Sequence, residues 1–172
     1  AGYVVMRVPM VAQWERAAWA ALRAEVAQTA RYAGELGIWT VLGSVHRLTA
    51  PNRPHNCLYV IDDKGSVVTR YDERMLSNTK ISYMYAPGTG PRTFEVDGVR
   101  FGCLLGMEVH FPELFAEYER LDVDCMLFST TGGPTAKESA VFATEAQGHA
   151  AVNGYWIGFA SSAQHADTAP SG

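Results

Sequence analysis

Three short apolar runs in the second half of the chain, residues 99–105, 123–129 and 155–160, are separated by two stretches of helical character, residues 111–121 and 136–153. Apolar runs of this length without polar alternation are what strands buried on both faces look like. Pro112 opens the first helix at the position where a missing N–H costs nothing, and alanine-rich content favours the second. The first half of the chain is built differently. Residues 57–61 and 66–71 flank Asp62-Asp63-Lys64-Gly65, and residues 93–96 join residues 99–105 through Asp97-Gly98, so both pairs read as hairpins. Strands alternating with helices at one end and hairpins at the other argue for a mixed α/β sheet covered by helices.

The remaining segments fit that plan. Trp14, Ala17, Ala18, Ala21, Leu22, Val26, Ala30 and Ala33 recur at helical spacing, which predicts a helix over residues 13–35 ended by Gly34 and Gly37. Residues 39–45 form a β-branched strand, residues 46–55 a loop, and residues 72–91 an irregular stretch broken by Pro87-Gly88 and Gly90-Pro91. No repeat, low-complexity segment or linker interrupts the chain, so residues 1–172 are expected to form one domain.

Composition narrows the function classes. The net charge is −4 and the basic residues are scattered, which argues against a nucleic-acid partner. No apolar run approaches the roughly 18 residues of a membrane span, and the N-terminus lacks the pattern of a signal peptide. Cys57, Cys103 and Cys125 are odd in number and far apart, the usage of a reducing compartment, so a cytoplasmic location is expected. The five histidines show no metal-ligand spacing, and neither a metal nor another cofactor is expected.

The stretch that carries chemistry is residues 101–114, FGCLLGMEVHFPEL. It resembles the nucleophile segment of the carbon–nitrogen hydrolase (nitrilase and aliphatic amidase) superfamily, where a glycine and apolar strand residues lead into Cys, an apolar residue, an acid, then x-Arg-Phe-Pro-Glu. Other elements follow in the family's order: residues 40–44 (TVLGS), 56–62 (NCLYVID), Arg70-Tyr71 with Met75-Leu76, Tyr85-Ala86-Pro87-Gly88, residues 123–129, and residues 150–156 (AAVNGYW). The resemblance implies a four-layer α-β-β-α sandwich. The family's first catalytic glutamate then falls before residue 1, Gly2-Tyr3 ending its motif, and its first and last strands are missing. It also implies hydrolysis of non-peptide C–N bonds through a cysteine thioester. A glutamate acts as base, and a lysine and the backbone N–H after the cysteine hold the oxyanion, here the N–H of Met107.

The chain departs from the family where catalysis resides. The nucleophile position is Gly106, the lysine position is Glu73, and the second glutamate position is Lys80. Cys103 stands three residues before Gly106, an odd offset that puts it on the other strand face, so all three thiols are expected to be buried and structural. Two readings of Glu73 and Lys80 stand. Either they are unrelated loop charges, or they are a charge-reversed copy of the family's pair and still meet, since reversal avoids an unpaired buried charge. Glu108 matches the family's acid after the nucleophile, and His110 replaces its arginine. His110 is either an acid–base group with Glu108 and Glu113 or a helix-start histidine bonded to one of them. Thr130, Thr131, Gly132 and Gly133 end a strand where ligand loops gather. Tyr83, Tyr85, Trp156 and Phe159 are expected in the core rather than in a binding cage.

These residues imply a catalytically silent carbon–nitrogen hydrolase domain, a pseudoenzyme that binds a small amide- or nitrile-like molecule. Two alternatives remain open. One is a weakly active or altered amidase that uses Glu108 and His110 on water. The other is a non-catalytic subunit that pairs with an intact homologue, or with its own copy, through helix 111–121 by way of Leu114, Phe115 and Tyr118.

Overall fold

The computed structural model describes residues 14–131 and 136–161. Gly2, Tyr3, Gly132 and Gly133 therefore lie outside the described residues. The chain divides into two compact units, residues 1–90 and residues 91–172.

In the first unit, a 3-10 turn at Trp14–Arg16 precedes helix α1, Trp19–Leu36, which ends on Gly37 in the left-handed conformation (φ 64°). The N–H of Ile38 reaches back to the Ala33 carbonyl (3.0 Å), closing the helix end as a glycine at this position permits. Strands β1 (Thr40–His46), β2 (His55–Ile61) and β3 (Val67–Asp72) form an antiparallel sheet in that order. Helix α1 lays Ala30 and Ala33 on Ile61, beside Leu42 and Tyr59. Strand β2 begins within the stretch expected as loop, because His55 and Asn56 pair with His46 and Val45 across the sheet. The segment after β3 is not wholly irregular: Lys80–Met84 forms a single π-type turn closed by the Tyr85 N–H on the Lys80 carbonyl (2.8 Å).

The second unit is a four-stranded sheet in the order β4 (Thr93–Val96), β5 (Val99–Leu105), β6 (Cys125–Thr130), β7 (Trp156–Ser161). Strands β4 and β5 are antiparallel, joined through Asp97 (φ 51°) and Gly98 (φ 81°), the double left-handed turn that suits a tight hairpin. Strands β5, β6 and β7 are parallel and connected by helices α2 (Pro112–Glu119) and α3 (Ala136–Asn153). Parallel neighbours need such crossovers, which is what the strand–helix alternation in the sequence encodes. Tyr118 of α2 lies so close over β5 that a Cβ on Gly102 would stand 2.6 Å from its ring. The mixed α/β class is the one expected.

Three expectations about side chains fail. Trp156 is 81% exposed and Tyr83 is exposed too, so of the four aromatics expected in the core only Tyr85 is fully buried, Phe159 being half-buried. Strand β7 is the last strand of its sheet among the described residues, and alternation sends Trp156 to the open face. Leu114, Phe115 and Tyr118 are buried within the protein rather than offered to a partner. The hydroxyl of Tyr118 bonds the Cys103 carbonyl (2.9 Å), so α2 spends its apolar face on its own sheet.

Candidate active site

Strand β5 ends in an elbow. Gly102, Cys103, Leu104 and Leu105 are buried, and the chain then turns at Gly106 (φ 57°) into a 3-10 turn, Gly106–His110. A side chain held at such a φ costs about 1–3 kcal/mol and persists only where surrounding structure imposes it. Strand-to-helix elbows of this kind are where hydrolases display a nucleophile. Here the position carries none. The paired residues Leu105 and Ser129 place Gly106 beside Thr130, at the carboxyl ends of adjacent parallel strands. Thr130 is buried and Thr131 is exposed. Glu108 is fully buried, and its Oε2 accepts the Leu105 N–H (2.7 Å). It closes the elbow on itself, which removes it from the role of a solvent-facing base.

Glu73 and Lys80 meet. Lys80 Nζ lies 2.7 Å from Oε1 and 2.8 Å from Oε2 of Glu73, and Asn56 Nδ2 donates to Oε2 at 2.6 Å. The Glu73 side chain is 0% exposed and that of Lys80 is 27%. The Glu73 backbone adds two bonds, from its N–H to the Asn56 carbonyl (2.9 Å) and from the Gly88 N–H to its carbonyl (2.8 Å). A buried carboxylate with this many donors is a satisfied one. Glu73 and Lys80 thus form an ion pair and are not two separate solvent-facing charges.

His110 closes on a different partner from those expected. Its Nδ1 is 2.5 Å from Oε2 of Glu145 on α3, not bonded to Glu108 or Glu113. Its ring also packs on Phe142, centroids 5.1 Å apart. One turn beyond Glu145, His149 Nε2 bonds the Val109 carbonyl (2.8 Å) while its ring stacks on Phe115. Helix α3 thus holds two consecutive residues of the elbow. Sequence reasoning missed Asn56, Glu145 and His149. The i, i+4 spacing of the last two on one helix face was the available signal.

The family model of carbon–nitrogen hydrolases matches residues 2–169. The chain belongs to the carbon–nitrogen hydrolase family. Solved structures agree in fold. A cysteine-to-alanine mutant of an amidase from Nesterenkonia AN1, of the nitrilase superfamily, is similar with a TM-score of 0.74 at 18% identity, covering 86% of this chain and 55% of that one. The same amidase in a cysteine-to-alanine form in complex with butyramide gives 0.72 at 17%, covering 86% and 56%. Saccharomyces cerevisiae Nit3, a member of branch 10 of the nitrilase superfamily, gives 0.72 at 17%, covering 86% and 54%. The chain therefore spans a little over half the length of the relatives it matches. No curated protein matches it.

The three thiols of this carbon–nitrogen hydrolase chain are buried or half-buried. Cys103 is 1% exposed, and burial pushes its thiol up to about 12, with the Glu108 carboxylate adding to the effect. Cys57 is equally buried and is pushed to about 12 by burial and then by Asp72. Cys125 is only half-buried, a departure from the expectation, yet its pKa is also raised, chiefly by desolvation. A thiol is nucleophilic as thiolate, so the raised pKa values disfavour the reactive form of all three near neutrality. Among the described residues no cluster of His, Cys, Asp and Glu can hold a metal, and no helix is long and apolar enough to cross a membrane.

Proposed function

We propose that this chain is a carbon–nitrogen hydrolase domain that forms no thioester and that binds a small amide- or nitrile-like molecule without turning it over. One observation carries the reading: the elbow that ends β5 keeps the left-handed backbone of a displayed nucleophile, and its residue is Gly106. Without a side chain there is no atom to attack a carbonyl and no acyl-enzyme to hydrolyse. The family alignment supports the same conclusion, because position 73 carries Glu73 where the family has its lysine.

Amide binding in the absence of the thiol has a precedent in the Nesterenkonia amidase, whose cysteine-to-alanine mutant was solved in complex with butyramide. The match over residues 2–169 supports reading the chain as one family domain. The three free thiols support a reducing, cytoplasmic setting. Self-association through α2 would have to use its polar face, since its apolar residues are buried.

Fluoroacetamide tests the chemistry, because it left an acetamide moiety on the active-site cysteine of the Nesterenkonia amidase. Mass spectrometry of the native chain after exposure is expected to show no added acetamide, and titration with butyramide is expected to give saturable binding. An adduct on any cysteine of the folded chain, or turnover of butyramide, overturns the silent reading. Absence of binding up to high millimolar butyramide overturns the ligand.

A further inference from the structure

We propose that His110 and Glu145 form a general-base pair that hydrolyses activated short-chain aryl esters by activating water. This goes beyond the silent-amidase reading, since it uses neither Gly106 nor a thiol. The pair lies wholly within the second unit.

The geometry assigns the roles. Nδ1 of His110 is 2.5 Å from Oε2 of Glu145, and the two side chains are 36% and 35% exposed. A carboxylate only accepts, so the ring proton sits on Nδ1 and the lone pair on Nε2. Nε2 has no partner among the described residues. The ring is fixed from two sides by α3: Glu145 takes its Nδ1 edge and Phe142 packs on the ring. The backbone that delivers it is fixed as well, because His149 holds the Val109 carbonyl (2.8 Å). A part-exposed histidine oriented by a carboxylate, with the far nitrogen unbonded among the described residues, is the base half of a hydrolytic triad lacking its nucleophile. Water then takes the nucleophile's place.

In the step, a water oxygen attacks the ester carbonyl carbon as Nε2 removes its proton. The carbon–oxygen bond to the aryl group breaks, and the aryl oxide leaves. The imidazolium returns its proton to the aryl oxide, giving a carboxylic acid, a phenol and the neutral pair. Aryl esters fit because their leaving group departs without prior protonation, which a pair supplying only a base requires. His110 is the catalytic residue and Glu145 the positioning residue.

The test is hydrolysis of p-nitrophenyl acetate by the whole chain and by His110→Gln, Glu145→Gln and His55→Gln. Expected are linear release of phenol without a burst, slower turnover in heavy water, and a loss of about a hundredfold or more in His110→Gln, the low end for a general base. Glu145→Gln should lose kcat several-fold with KM unchanged, because the ring then loses the carboxylate that orients it. His55→Gln should match the parent, and iodoacetamide treatment should leave the rate intact. A parental rate in His110→Gln, a burst of one equivalent of phenol, or an unchanged kcat in Glu145→Gln overturns the proposal. Where His110→Gln fails to fold by circular dichroism, the kcat of Glu145→Gln decides. These readouts are independent of amide binding and of fluoroacetamide labelling, so the two readings fail separately.

Discussion

Lys80 Nζ sits within 2.8 Å of both carboxylate oxygens of Glu73, and of the two side chains only the lysine reaches solvent. The pair fits the proposed reading of a charge-reversed copy of the family's lysine and glutamate. Removing one member leaves the other unsatisfied, which costs about 3–5 kcal/mol for a buried partner. Lys80→Met is therefore expected to lower stability by that order, and Lys80→Glu by more, through repulsion from Glu73. The double exchange Glu73→Lys with Lys80→Glu should recover most of the loss. Urea unfolding of the parent, Glu73→Lys, Lys80→Glu and the double exchange closes the cycle, and additive losses in the double variant would dissolve the pairing argument.

Helix α1 and the β2–β3 hairpin touch through glycines. A Cβ on Gly65 (φ 82°) would stand 2.5 Å from the Ala30 carbonyl oxygen, and one on Gly34 2.9 Å from the Lys64 backbone. Backbone cannot give way as a side-chain tip can. Gly65→Ala is expected to destabilise by more than about 2 kcal/mol, combining the left-handed penalty with the clash. Gly148→Ala is the opposite case. It lies within α3 with nothing inside 4 Å of the added carbon, so it should stabilise by about 0.5–1 kcal/mol. Thermal melts showing equal effects at the two positions would contradict this account of the packing.

How much of this was legible in the sequence follows from the range of each interaction. Strands β4 to β7 and helix α3 fall where apolar runs and periodicity put them, because burial on both faces leaves an unbroken pattern. The proposed substitutions at Gly106, Glu73 and Lys80 rest on the spacing of the family motifs in the sequence. Partnerships across the fold are not so visible. Glu145 lies 35 residues from His110, and no local pattern links them. Trp156 misleads for a related reason: an aromatic in an apolar run reads as core, and only sheet order shows which strand is left at an edge. Glu108 reads as a catalytic acid from its motif, whereas its bond to the Leu105 N–H turns it inward.

The thiols should separate by burial when alkylated in the folded state. With Cys57 and Cys103 pushed up to about 12, about one part in ten thousand is thiolate at pH 8, and access is closed as well. Cys125 is the half-buried one and should label first with iodoacetamide, slowly, because its own pKa is raised. Peptide mapping after timed quenching reads the order. Faster labelling of Cys103 than of Cys125 would mean that β5 opens locally, or that the elbow retains a reactive thiol after all.

His46 gives the fold an acid limit. Its Nδ1 is 2.7 Å from the Tyr59 hydroxyl, and burial lowers its pKa, with Arg70 and His55 adding to the effect and Asp72 opposing it. The unfolded chain takes up this proton near pH 6.5, whereas the folded chain does so only at lower pH. Between those values the unfolded state holds more protons, so stability rises with pH. The contribution is whole above about pH 7, shrinks as pH falls through the unfolded value, and levels off below the folded one. His46→Gln keeps an acceptor for Tyr59 and removes the titration. Urea midpoints of parent and variant from pH 5 to 8 should therefore converge or cross on the acid side, the parent losing more. A difference between the two proteins that stays constant across this range would show that His46 protonates equally in both states, and that the charge of Arg70 beside it does not reach the ring.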